Sequence, residues 1–194
     1  NIVFGVLGVI NFAHGALYML GAYLAYAGIV GLGLPFWLTL LLAPLVVALL
    51  AVLVDRGMLH FIYGRDIADS LLLTFALLLI LNESTRLIWG NGIHTVEPPW
   101  PLQGTIALPG GLRYPSYSAF VVAVGLLTLL GLWLLFSRTR LGKIMRAAAQ
   151  DPEMAQTVCI NTRRVITATF AFGAWLAALG GVPAVAAVSP GSGS

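Results

Sequence analysis

Long apolar runs separated by short polar segments constrain this chain more than any other feature. The run 36–54 (FWLTLLLAPLVVALLAVLV) contains no charged residue, and about 20 apolar residues are needed to cross a bilayer as a helix. Only 9% of the 194 residues are charged, and 59% are hydrophobic, whereas a soluble domain carries about 25% charged residues. The pattern predicts an all-α, polytopic transmembrane helical bundle.

About five full spans are predicted, at 15–31, 36–54, 67–90, 117–137 and 165–188. Residues 1–12 are interpreted as the tail of an earlier helix or as a re-entrant half-helix, and the chain is expected to be truncated at both ends. Pro44 predicts a kink in the second span, because its ring removes a backbone hydrogen bond. Gly28, Gly31, Gly33 and Pro35 predict a tight turn after the first span.

The two longer connections differ in composition. Residues 91–116 are rich in proline and glycine, which predicts a loop, with a short hairpin within 102–108. Residues 138–164 carry six of the ten Lys and Arg side chains. Eight of the ten fall at one end of the predicted bundle, which indicates the cytoplasmic side. Loop 91–116 is then extracytoplasmic and loop 138–164 cytoplasmic.

The basic loop is predicted to form two short helices. Apolar residues recur at helical spacing, with polar residues on the opposite face: Leu141, Ile144, Met145 and Ala148 against Lys143, Arg146 and Gln150. Asp151 is predicted as the N-cap of a second helix, with Pro152 at its first position. The residues alone leave two interpretations open. The helices lie on anionic lipid, or they insert into a groove of a soluble partner.

Two groups of polar residues fall within the predicted spans. The third span is interrupted by Asn82, Glu83 and Arg86. Glu83 and Arg86 are spaced for an ion pair on one helix face. The alternative is that Asn82 and Glu83 line a substrate pathway. Asn11, His14 and Gly15 suit a broken helix that lines a pathway, or side chains that bond to a neighbouring helix.

A stripe of small residues marks the last span. Gly173, Ala177 and Gly181 recur every fourth position, which predicts close packing against another helix. The sequence contains no catalytic set, no metal-ligand motif and no phosphate-binding loop. We therefore expect no enzyme activity, no bound metal, no cofactor and no nucleic-acid partner.

Two segments resemble a known family. GVLGVINFAHGALYMLGAY (5–23) is similar to the signature of LivH-type permeases of branched-chain amino acid ABC importers. LGKIMRAAAQDPEMAQTVCIN (141–161) and FAFGAWLAALGG (170–181) resemble the cytoplasmic loop and next helix of the same permeases. The resemblance implies one permease domain over 1–194 in a bacterial inner membrane, and alternating access driven by ATP.

The resemblance also implies partners: a LivM-type second permease subunit, two cytoplasmic ATP-binding subunits that use the ATP, and an extracytoplasmic substrate-binding protein. It assigns contact with the ATPases to nine residues, namely Gly142, Lys143, Arg146, Ala147, Asp151, Pro152, Ala155, Ile160 and Asn161. Alternative substrates are urea, short amides or other amino acids. A secondary transporter or channel without an ATPase is the alternative mechanism.

Overall fold

The computed structural model describes residues 12–58, 67–90, 92, 94–107, 113–150 and 162–187. Within these ranges, five helices are long and apolar enough to cross a membrane. This confirms the predicted polytopic helical bundle. The described α-helices are α1 (Ala13–Tyr26, extended by a π-helical turn at Ala27–Gly31), α2 (Phe36–Gly57), α3 (Ile67–Trp89), α4 (Ser116–Arg138), α5 (Arg140–Gln150) and α6 (Thr162–Ala187). All except the short α5 belong to the five possible spans.

Helix α1 differs from the prediction at both ends. It begins at Ala13 and passes through His14 and Gly15 without interruption, so the broken helix, one of the two alternatives for these residues, has no break at His14 or Gly15. The segment 1–11, with Asn11, lies outside the described residues. Gly28 is buried in the π-helical turn against the Thr39 side chain, instead of forming part of the tight turn. The reversal falls at Gly33, whose positive φ of 65° suits glycine.

The proline-rich loop contains a small hairpin. Strand β1 (Thr105–Ala107) pairs antiparallel with β2 (Arg113–Pro115). The prediction placed both strands within 102–108. This is correct for β1 and wrong for β2, which lies beyond residue 108. Trp100–Leu102 form a 3-10 turn before the hairpin. The Ser116 hydroxyl donates to the carbonyl of Leu102 at 2.7 Å, which fixes the hairpin to the start of α4.

Helix α6 lies at the centre of the bundle and packs against α1 and α2. The core between them contains Leu17, Val47, Phe170, Ala174 and Ala178, all buried. Small residues let α1 and α6 approach closely. A Cβ on Gly21 would lie 2.6 Å from the Ala178 Cα, and one on Gly181 would overlap the carbonyl oxygen of Tyr18. Of the predicted stripe, Gly173 and Ala177 are also buried.

Helix α4 is attached mainly at one end. Its most apolar stretch has no buried residue, and an apolar gap of about 380 Å³ separates it from α6. At the end near loop 90–116, called here the loop end, the Tyr117 hydroxyl donates to the Pro183 carbonyl at 2.6 Å. Phe36 and Phe120 pack edge-on nearby, with ring centroids 6.2 Å apart. These contacts hold the first turn of α4 and leave the rest peripheral.

Asp55 joins α2 to α6 at the opposite end, called here the basic end because Arg138, Arg140, Lys143 and Arg146 lie there. The predicted second span ended at residue 54, but α2 continues to Gly57 and Asp55 is 1% exposed. The Thr167 hydroxyl donates to its Oδ2 at 2.5 Å. Because a buried carboxylate is costly without hydrogen bonds, this contact favours one position of α6 against α2.

The close approach of α1 and α6 predicts that Gly181→Ala is destabilising. The added methyl has no space against the Tyr18 backbone, and overpacking costs about 1–3 kcal/mol. Gly180→Ala is the matched control, because its Cβ would lie 3.4 Å from the Tyr18 ring, an ordinary contact. We expect Gly181→Ala to lower the midpoint of thermal unfolding in detergent, and Gly180→Ala to leave it near the wild-type value. Equal midpoints for the two variants would contradict this packing.

Candidate functional site

A cavity of about 660 Å³ lies at the loop end, between α1, α3, α6 and the loop residues Gly90, Gly92 and His94. We call it the loop-end cavity. Its polar and aromatic lining consists of Tyr23, Tyr26, Asn82, Thr85, Arg86 and His94. Its apolar wall includes Met19, Ala22, Ala184 and Val185. A volume of this size is typical of small-molecule sites, and the mixture of walls suits a ligand with polar and apolar parts.

Arg86 supplies the positive charge of this cavity. It is the one Lys or Arg among the described lining residues, and it lies in the last turn of α3. Its Nη1 is 3.9 Å from Glu83 Oε2, and both side chains are about two-thirds exposed, at 65% and 66%. A contact of that length is too long for a hydrogen bond, and an exposed ion pair contributes little to stability. The guanidinium is therefore held only weakly by Glu83.

Aromatic side chains form one wall of the cavity. Tyr23 and Tyr26 are three residues apart on α1, and the His94 ring packs against Tyr26 with centroids 4.4 Å apart. His94 Nε2 is 2.9 Å from the Trp89 carbonyl oxygen. Because a carbonyl only accepts hydrogen bonds, Nε2 carries the proton and donates. The backbone of Val96 also donates to the Val185 carbonyl at 3.3 Å. These contacts tie the loop to α3 and α6 at the cavity mouth.

The predicted pathway residues do not all meet in one place. Asn82 lines the loop-end cavity, and Glu83 lies outside its described lining. His14 lines a separate cavity of about 310 Å³ with Tyr18 and Gly173, and its buried Nδ1 has no hydrogen-bond partner among the described residues. Gly15 is exposed. The structure therefore divides the predicted pathway between two cavities along α1.

Helix α5 is fastened to the end of α4 at the basic end. Thr139 separates the two helices, and its Oγ1 donates to the Leu135 carbonyl at 2.6 Å and accepts from the Gly142 N–H at 3.1 Å. This is the N-cap arrangement that satisfies a free donor of the first turn. Gly142 is buried against the backbone of Leu135 and Phe136, where a Cβ would overlap. The two helices therefore behave as one angled unit.

The two faces of α5 have different environments. Met145 on the apolar face is buried at 6% exposure, whereas Lys143, Arg146 and Ala147 are exposed. Arg146 lies on the exposed, polar face of α5, as its spacing predicts, and its guanidinium also donates to the Phe136 carbonyl at the end of α4. Carbonyls in the last turn lack helical partners, so Arg146 acts as a C-terminal cap. Five residues predicted to contact an ATPase lie outside the described residues: Asp151, Pro152, Ala155, Ile160 and Asn161.

Sequence reasoning missed three aspects of these sites. Tyr23 and Tyr26 were not singled out, although their spacing places them on one face of α1. His94 was interpreted as a loop residue, and nothing in the sequence shows that its loop folds back over α1. Arg86 was interpreted as an ion-pair partner of Glu83, and its position in the cavity was not predicted. Across the described residues, no group of three or more His, Cys, Asp or Glu side chains could hold a metal ion.

Comparison with known proteins identifies the family. The family model described as "Branched-chain amino acid transport system / permease component" matches residues 1–192. The high-affinity branched-chain amino acid transport system permease protein BraD of Pseudomonas aeruginosa is 30% identical over 94% of this chain. LivH of Salmonella typhimurium and LivH of Escherichia coli K12, which have the same description, are each 28% identical over 94% of this chain.

The chain spans 62% of the length of each of these relatives. No solved structure matches it. The family match covers nearly all of the chain and agrees with the five apolar helices of the bundle. The chain therefore belongs to the family of permease components of branched-chain amino acid transport systems.

Proposed function

We propose that this chain is a membrane-spanning permease subunit of an ABC importer for branched-chain amino acids in a bacterial inner membrane. Two ATP-binding subunits dock at the basic end, a second permease subunit completes the pathway, and a binding protein delivers substrate at the loop end. The chain binds no ATP itself. Family membership supports this assignment, and so do the names of its relatives, which are transport permeases for branched-chain amino acids.

The proposed orientation places the basic end in the cytoplasm. Arg138, Arg140, Lys143 and Arg146 lie there, and short cytoplasmic loops collect positive charge. The loop-end cavity then faces the side from which substrate arrives. The proline-rich loop and its hairpin are suitably placed for contact with a binding protein.

The burial of one face of α5 is the observation that supports its role in coupling to the ATP-binding subunits. A helix that lies on lipid buries its apolar face among the lipid chains. In α5, Met145 on that face is covered by the protein itself and Ile144 is partly buried, whereas the basic residues Lys143 and Arg146 are exposed. The arrangement favours docking of a soluble protein over insertion into lipid.

The attachment of α4 suggests how a movement of α5 would be transmitted into the membrane. Helix α5 is fixed to the basic end of α4 through Thr139, Gly142 and Arg146. Helix α4 is fixed to the bundle at the loop end through Tyr117 and has an apolar gap beside its remaining length. We infer that α4 and α5 tilt as one unit about the Tyr117 contact, while α1, α2 and α6 stay together.

We expect uptake of leucine to depend on ATP. The measurement is uptake of radiolabelled leucine into proteoliposomes that contain the full-length protein, its second permease subunit and its ATPases, with the loaded binding protein outside and ATP inside. Omission of ATP should abolish uptake. Uptake driven by an ion gradient alone would instead identify a secondary transporter. ATP-dependent uptake of urea or short amides in place of leucine would overturn the proposed substrate.

Lys143→Glu should weaken the interaction with the ATPases. Lys143 is exposed on α5, and a reversed charge at a docking surface costs association without affecting the fold. We expect about a tenfold loss of copurified ATPase and of uptake. Arg56→Glu is the matched control, because it makes the same charge change at an exposed residue of α2 at the same end. Equal losses in both variants would indicate a general charge effect and contradict docking on α5.

A further inference from the structure

We propose that the loop-end cavity is itself a binding site for a free, zwitterionic amino acid with an apolar side chain, and that Arg86 binds its α-carboxylate. The inference rests on the proposed transport function and deepens it. It assigns recognition of the substrate's charged groups to the permease, in addition to any selection by a binding protein.

The charge of Arg86 is the first support. A guanidinium presents parallel N–H donors that match a carboxylate. The ion pair described for Arg86 is the 3.9 Å contact with Glu83, in which both side chains are about two-thirds exposed. An incoming carboxylate at hydrogen-bond distance would therefore form a stronger pair than the existing one. Binding requires little desolvation of Arg86, because its side chain is about two-thirds exposed.

The remaining walls suit the other parts of an amino acid. Asn82 offers an amide oxygen, and Tyr23 and Tyr26 offer hydroxyl oxygens, which attract an ammonium group. Met19 and Val185 supply an apolar surface for an aliphatic side chain. A methionine adapts to side chains of differing shape.

A second ligand presents the same chemistry to Arg86. A lipid phosphate is also an anion that a guanidinium binds, and arginines at the ends of spans reach the headgroups. The two sources differ in one respect. A lipid phosphate would compete with the amino acid for Arg86, whereas a true amino-acid site discriminates between ligands with and without a carboxylate in the presence of lipid.

The test is calorimetric titration of the assembled importer in phospholipid nanodiscs, without binding protein, using leucine and leucinamide. Leucinamide keeps the ammonium group and side chain but lacks the carboxylate. We expect the wild type to bind leucine about tenfold more tightly than leucinamide, since a charge-assisted hydrogen bond is lost. In Arg86→Gln, leucine should weaken to the affinity of leucinamide, and leucinamide should be unaffected.

Three results would overturn the proposal. Equal affinities of the wild type for leucine and leucinamide would show that no carboxylate is recognised. If Arg86→Gln weakened both ligands equally, Arg86 would have a structural role. If the wild type discriminated in detergent and lost the difference in nanodiscs, Arg86 would be assigned to lipid phosphates. Each result is distinct from failure of the proposed function, because ATP-dependent uptake by the wild type would remain.

Discussion

The close contact between α1 and α6 determines where the other elements of this bundle can lie. At Gly21 and Gly181 the two backbones lie so close that an added methyl group would overlap the facing helix. Without a hydrophobic effect between helices in lipid, such packing and a few hydrogen bonds hold a bundle together. Helix α2 completes this unit through Val47, Ala51 and the buried Asp55–Thr167 contact. The loop-end cavity lies beside this unit, so its walls on α1 and α6 belong to the closely packed part of the bundle.

Helices α4 and α5 are less closely packed than the unit formed by α1, α2 and α6. The apolar surface of α4 is largely exposed, and its firm contacts are at its two ends: Tyr117 on Pro183, and Thr139, Gly142 and Arg146 with α5. A rigid lever that is attached at one end and pushed at the other can transmit motion across a membrane. We propose that this division between a closely packed core and the peripheral α4 and α5 is the physical basis of ATP-driven transport.

The sequence predicted the spans closely, because about 20 apolar residues between polar segments have few alternatives in a membrane. It could not predict how polar residues are grouped. Asn82 and His94 are twelve positions apart, and only the folded loop brings them to one cavity. In the sequence, Asp55 looks like an acidic residue of an exposed loop, and only the folded structure shows that it is buried. The exposed face of α5 was predictable from its spacing, but the return of Arg146 to Phe136 depends on the angle at Thr139.

The tilt of α4 and α5 is the central claim, and spin-label distances test it most directly. One pair of labels at the basic end replaces Ser137 of α4 and Arg56 of α2, and a second pair nearer the loop end replaces Val122 and Leu41; all four residues are exposed. With native cysteines replaced, including Cys159, ATP binding to the assembled importer should change the basic-end distance by several ångströms and leave the loop-end distance nearly constant. Equal changes in both pairs, or none in either, would contradict the account.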